Sequence, residues 1–312
     1  MTTQLRMIIT YMLNIIIIII SALTAIAFYT LSERKFIGYI QYRKGPNKPN
    51  IMALAIPIAD AAKLFSKEQN NTITSNQIHY LITPTIIIIF ALLLWPIFPH
   101  YNSSYMIKFR ILYFLCITGV RIYTTFIAGW RSNSSWGILG ALRGVAQTIS
   151  YEVRIALILI SFILYPLIIN LSNILQKQYS WLLLIIIPLS LSWIISILAE
   201  THRTPFDFTE GESELVSGFN IEYSSSLFAL IFIAEYINIL FISLLSISII
   251  TRNYSNTELI IKTTIISILF IWFRSSLPRL RYDSLIVILW KKILPLSLIL
   301  ILLNITIILL IK

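Results

Sequence analysis

One cysteine among 312 residues excludes an internal disulfide and any metal or iron-sulfur site built from cysteines of this chain. That residue, Cys116, lies in an apolar run, where a small buried hydrophobe is expected. The three histidines, His79, His100 and His202, stand far apart and lack ligand spacing, so no metal site is expected. Nine glycines include no phosphate-cradling loop, which removes nucleotide and dinucleotide sites. Charge is also scarce, at 12% of residues, with 24 cations against 13 acids. The cationic excess lies in loops beside apolar runs, a pattern of membrane topology, and no nucleic-acid partner is expected. No polar stretch is long enough to build its own soluble core. The first apolar stretch is followed by Glu33-Arg34-Lys35 instead of the small residues of a cleavage site, so no cleavable signal peptide is expected.

What the chain has in abundance is apolar length. Hydrophobic residues make up 57% of it, in continuous runs and not in alternation, which selects membrane-spanning helices over a barrel. The expected fold is an all-α polytopic membrane protein forming one transmembrane domain over residues 1–312. Eight spans are predicted, at about 8–31, 79–98, 107–128, 144–170, 181–199, 223–250, 260–277 and 284–310. Lysine and arginine concentrate in the connections after spans 1, 3, 5 and 7. The odd-numbered loops therefore belong on the cytoplasmic or matrix side and both termini on the other. Within the connection 32–78, residues 51–67 alternate apolar groups with Asp60, Lys63 and Lys67 at near-helical spacing, which predicts an amphipathic helix at the membrane surface. The small residues Gly137, Gly140, Ala141 and Gly144 suit close helix packing.

Six of the thirteen carboxylates fall between Glu200 and Glu222. This loop carries Asp207, Glu210, Glu212 and Glu214, interleaved with Phe206, Phe208, Leu215, Val216 and Phe219. Acids threaded with aromatics beside Arg203 suit a lined cavity better than a solvated turn. Glu152 and Glu235 fall inside apolar spans, where a lipid-facing charge costs about 2.5–3.5 kcal/mol, so both are expected to face a polar interior. With Tyr151, Tyr236 and the loop acids they form a candidate line of titratable groups, crowded carboxylates that cannot all ionise at once and can hold and pass protons. Arg121 and Arg154, at similar depth, are expected to form interhelical ion pairs. Two other functions fit the same residues: an ion transporter acting alone, and an anchor whose acidic loop docks a peripheral complex.

Motifs along the chain narrow the choice. Glu33-Arg-Lys, Gln41-Tyr-Arg-Lys-Gly-Pro-Asn47, Asp60-Ala-Ala-Lys-Leu-Phe65, Gly140-Ala-Leu-Arg, Ala146-Gln-Thr-Ile-Ser-Tyr-Glu-Val153, the acidic loop, Ala234-Glu-Tyr236 and Leu277-Pro-Arg-Leu-Arg-Tyr-Asp283 together resemble the subunit 1 family of respiratory NADH:ubiquinone oxidoreductase, complex I. The resemblance covers nearly the whole chain in the right order. It implies a membrane subunit at the junction of the hydrophilic and proton-pumping arms, lining the tunnel by which ubiquinone leaves the bilayer. Arg34, Arg43, Asp60, Arg203, Phe206, Asp207, Glu210, Glu212, Glu214, Phe219, Arg279 and Arg281 would belong to that tunnel. Glu152, Glu200 and Glu235, with Tyr151 and Tyr236, would form the acidic path towards antiporter-like subunits. Ubiquinone would be substrate and no cofactor would bind this chain, FMN and iron-sulfur clusters lying in partner subunits. With the isoleucine- and asparagine-rich composition, the resemblance points to the mitochondrial inner membrane, with odd-numbered loops in the matrix and the termini on the intermembrane side. His202 stands where the family commonly has asparagine, Ser275-Ser276 replace a glycine-threonine, and Arg121, Arg131 and Arg154 add charge at usually neutral positions.

Overall fold

In a bilayer, an apolar run must satisfy its amides within its own segment, and this chain does so with helices. The structure, a computed structural model, describes residues 2–48, 51–70, 72, 75–98, 109–164, 187–209, 211, 215–251 and 255–311, with no strand among them. The helices are α1 (Thr2–Ile40), α2 (Ile56–Ser66), α3 (Gln77–Leu93), α4 (Arg110–Arg131), α5 (Ser135–Leu164), α6 (Ile187–Glu200), α7 (Ser225–Ile250), α8 (Asn256–Ser276), α9 (Tyr282–Val287) and α10 (Leu294–Ile311). A π turn, Ile288–Ile293, joins α9 to α10 in one continuous span. Among the described residues seven stretches are long and apolar enough to cross a membrane, and α6 is a shorter apolar helix. The predicted spans 4 and 5 run partly through 165–186, outside the described residues.

Two helix ends differ most from the expected ones. Helix α1 continues to Ile40 where the apolar run stops at 31, and α5 begins at Ser135, not 144. Apolarity marks where lipid ends, whereas a helix continues as long as packing supports it. Glu33, Arg34 and Lys35 are thus helical residues and not the start of a loop. The chain after α1 folds back on it so closely that a Cβ on Gly45 would lie 2.9 Å from Lys35 Cα. The expected surface helix is α2, which buries none of its residues and leaves Ile58 72% exposed.

Helices α5 and α7 form the centre: α5 packs against α4, α6 and α10, and α7 against α1, α3 and α8. Tyr80 of α3 stacks on Tyr223 at 4.5 Å between ring centroids, and the Tyr223 hydroxyl donates to the Ala128 carbonyl at 3.2 Å. That knot fixes the far end of the acidic loop. Burial pushes the Tyr223 phenol up to about 12, which keeps it a neutral donor.

Within the small-residue series, Gly137 and Ala141 take the close helix contact expected, a Cβ on Gly129 of α4 falling 2.8 Å from the Gly137 carbonyl oxygen, whereas Gly140 and Gly144 face the loop. Gly140 meets the loop and not a helix: a Cβ there would lie 2.8 Å from Gly218 Cα and 2.9 Å from Phe219 N. Gly218, at φ 59, takes the left-handed conformation that glycine tolerates best. Gly144 likewise faces Thr209. Replacing Gly140 with alanine should push the loop backbone off α5 and destabilise the fold by about 1–3 kcal/mol. Faster proteolysis within 200–222 at unchanged membrane insertion is the expected readout.

Candidate functional site

The end of α6 and the first turn of the acidic loop are held from three sides. Gln147 of α5, fully buried, donates its amide to the Ala199 carbonyl at 3.0 Å and the Phe206 carbonyl at 2.9 Å. Leu280 N donates to the Pro205 carbonyl at 3.1 Å, and Thr204 Oγ1 to the Arg274 carbonyl at 3.2 Å. Phe206, Phe208, Leu215 and Phe219 are buried as expected, but Val216 is 64% exposed. Glu210, Glu212 and Glu214 lie outside the described residues.

Beside this segment sits a carboxylate shared by four chain regions. Glu33 of α1 is 5% exposed, and its Oε1 accepts from Arg203 Nη1 at 3.2 Å and from Arg274 of α8. Its Oε2 accepts from the Tyr236 hydroxyl of α7 at 2.7 Å. The Arg203 guanidinium also lies over the Tyr236 ring at 4.6 Å, and Tyr29, one turn before Glu33, meets that ring edge-on. Burial opposes charge on Arg203, but Glu33 outweighs it and holds the guanidinium more firmly protonated than usual. Arg203 Nη2 is buried with no hydrogen-bond partner among the described residues. Next along the loop, Asp207 pairs with Arg279 at 3.1 Å.

On the other side of α7 lies a cavity of about 50 Å³, enough for a few water molecules. Tyr151 and Glu152 of α5, Glu200 of α6, Glu235 of α7, His202 and Arg121 of α4 are among its walls. Arg121 reaches Glu200 at 4.0 Å, and Thr118 donates to Glu152 at 3.3 Å. Glu152 also borders an outward-facing groove of about 600 Å³ between α4 and α5. Cys116 lines that groove and is exposed, contrary to the buried place expected of it. Carboxylates from three helices thus share one chamber within the membrane-spanning bundle.

Residues 13–305 match the model of the family described as NADH dehydrogenase. The chain belongs to that family. It is 50% identical to the NADH-ubiquinone oxidoreductase chain 1 of Aedes aegypti over 293 residues, covering 92% of this chain and 94% of the relative. It is 48% identical to the chain of the same name from Locusta migratoria over 291 residues, covering 92% of each. For that of Hylobates lar the identity is 47% over 296 residues, covering 92% of this chain and 93% of the relative.

Within this NADH dehydrogenase family chain, the tunnel candidates fall into separate groups. Arg203, Phe206, Asp207 and Arg279 gather around the loop's first turn. Arg34 and Asp60 pair at 2.9 Å on the surface, Arg43 bonds Gln41 there, and Arg281 is exposed. Phe219 lines the acid cavity instead. Of the acid-path candidates, Glu152, Glu200, Glu235 and Tyr151 share the cavity, whereas the Tyr236 hydroxyl faces Glu33. Arg121 forms an ion pair but Arg154 does not among the described residues. Arg154 is fully buried, with one nitrogen on the Ser150 carbonyl and its Nε and Nη1 unpartnered. Sequence reasoning missed Glu33, whose neighbours made it read as part of a cationic flank, and Arg274, a cation within an apolar span.

Replacing Glu33 with glutamine removes the countercharge of two guanidiniums at once. The change should destabilise the fold by about 3 kcal/mol, as for a broken buried pair. A lower steady-state level of the membrane-inserted chain, partly restored by Glu33→Asp, checks this. His202 offers a pH-dependent counterpart. It takes a left-handed φ of 49, better suited to asparagine, and burial, helped by Arg121, lowers its pKa to about 3. The unfolded chain binds a proton below about 6.5 and the folded one does not. Stability from this residue is therefore complete above about pH 6.5 and falls as the pH drops toward 3. The thermal midpoint of His202→Asn should exceed that of the parent by more at pH 5.5 than at pH 7.5.

Proposed function

We propose that this chain is a core membrane subunit of the proton-translocating NADH:ubiquinone oxidoreductase of the mitochondrial inner membrane, lining the ubiquinone tunnel and carrying the acidic path that couples quinone reduction to proton movement. Its names among insect and primate relatives support the subunit role. The single observation that carries the coupling is the chamber between α4, α5, α6 and α7, where Glu152, Glu200 and Glu235 meet around water-sized space. Such carboxylates in the membrane interior mark proton pathways, and waters between them complete the relay.

The chemistry follows from the charges. Quinone reduction draws protons and changes charge beside the tunnel acids, for which Asp207, Glu210, Glu212 and Glu214 are the candidates. Arg203 and Arg279 would orient the quinone head through their guanidinium donors, the free Nη2 of Arg203 in particular. A charge change there reaches the acid chamber through α7, because Tyr236 bonds Glu33 while the adjacent Glu235 faces the cavity. Glu152, bordering both the cavity and the outer groove, would pass the proton on to a neighbouring membrane subunit. Hydride and electron chemistry would be supplied by FMN and iron-sulfur clusters in partner subunits, with ubiquinone the substrate. Odd-numbered loops would face the matrix, against the hydrophilic arm.

Glu235→Gln keeps the shape and removes the titrating group. In the assembled complex, NADH-driven ubiquinone reduction coupled to pumping should fall roughly tenfold, about 1.4 kcal/mol of barrier. NADH oxidation by a soluble electron acceptor should be unchanged. Wild-type turnover and pumping in the assembled variant would sink the proposal.

A further inference from the structure

The last membrane span carries a feature that neither the tunnel nor the acid path uses. Leu285, Leu289, Ile293 and Ser297 are buried at four-residue intervals along it. An α-helix of 3.6 residues per turn would rotate that series off its contact face, and the widened π turn Ile288–Ile293 keeps it facing inward. The consequence is that two adjacent cations, Lys291 and Lys292, are left on the outer surface, both exposed. They are the tenth and eleventh residues of the span Tyr282–Thr306. Trp290 donates to Ser150 Oγ at 3.3 Å, which sets the pair beside the apolar part of α5. Neither lysine forms an ion pair among the described residues.

An ammonium at this depth costs about 2.5–3.5 kcal/mol if it faces lipid. The Tyr282 end lies roughly 13 Å away along the helix, farther than a four-carbon stem can snorkel to the headgroups. The lysines also head an ordered seam. Lys292, Leu296, Ile299 and Leu303 follow at spacings of four, three and four, all exposed, the pattern by which one helix receives another.

We propose that this face docks a transmembrane helix of a neighbouring subunit that sets an aspartate or glutamate against Lys291 and Lys292, with apolar side chains along Leu296, Ile299 and Leu303. The proposal rests on the chain's place in a multisubunit membrane enzyme. Charge complementarity and depth select a membrane helix over a lipid phosphate or a soluble domain.

The test treats active complex in its native membrane with dicyclohexylcarbodiimide. The reagent activates a buried carboxyl; attack by the adjacent lysine amine forms an amide and releases dicyclohexylurea. Mass spectrometry of the digest should find Lys291 or Lys292 joined to an acidic residue inside an apolar segment of about 20 residues in another chain. The proposal is overturned if both lysines stay unlinked and are acetylated by a lipid-soluble reagent, or if they link to a soluble segment. It is equally overturned if an anionic phospholipid bound to the wild-type complex is lost from Lys291→Gln/Lys292→Gln. If the chain purified apart from NADH:ubiquinone reductase activity, the subunit assignment itself would fail, an outcome visible before any cross-link is sought.

Discussion

The carboxylate of Glu33 is the interaction on which the rest of this structure depends. It comes from α1, yet its partners are Arg203 from the loop after α6, Tyr236 from α7 and Arg274 from α8. One buried acid opposite two guanidiniums leaves the cluster net positive, and the phenol completes the acid's coordination without adding charge. Removing the acid leaves both guanidiniums without their countercharge, the costly outcome for ions out of water. The cluster therefore fixes the relative position of four separated segments and sets the potential that the first turn of the acidic loop experiences.

Loop packing translates that fixed frame into a site. Gly140 and Gly218 allow backbone to lie on backbone, and Gln147 holds the Ala199 and Phe206 carbonyls with one amide group. Loop backbone buried this way needs every carbonyl answered. A side chain at position 140 or a non-donor at 147 would compromise that, although neither residue touches a carboxylate. The small and polar residues of α5 thus shape the chamber as much as its acids do.

The sequence made the membrane helices plain because lipid imposes a composition on whatever crosses it. It was silent on where α1 ends and α5 begins, because a helix that leaves the bilayer keeps its geometry while its residues turn polar. Glu152 and Glu235 were legible as charges inside apolar runs. Glu33 was not: its partners lie 170, 203 and 241 positions away, and Arg34 and Lys35 beside it masked its sign. Tyr236 reads as a companion of Glu235 by adjacency, but successive helix residues point about 100° apart, so the two serve different clusters. Cys116 and Val216 read as buried because apolar neighbours surround them in sequence, while their helix or loop faces outward.

Under the proposed coupling, that divergence at α7 would be the route by which the two clusters communicate. A change of charge near Arg203 alters the pull on Glu33 and hence on the hydrogen bond from Tyr236. Any resulting rotation of α7 carries Glu235 with it, since both side chains leave one rigid helix. Arg121 would provide the second route, because it faces Glu200 and His202 across the chamber and its attraction would fall if Glu200 took up a proton. Both routes would converge on Glu152, which borders both the inner chamber and the outer groove. On the proposed path, a proton delivered there would stand at the outer groove, where a neighbouring membrane subunit would receive it.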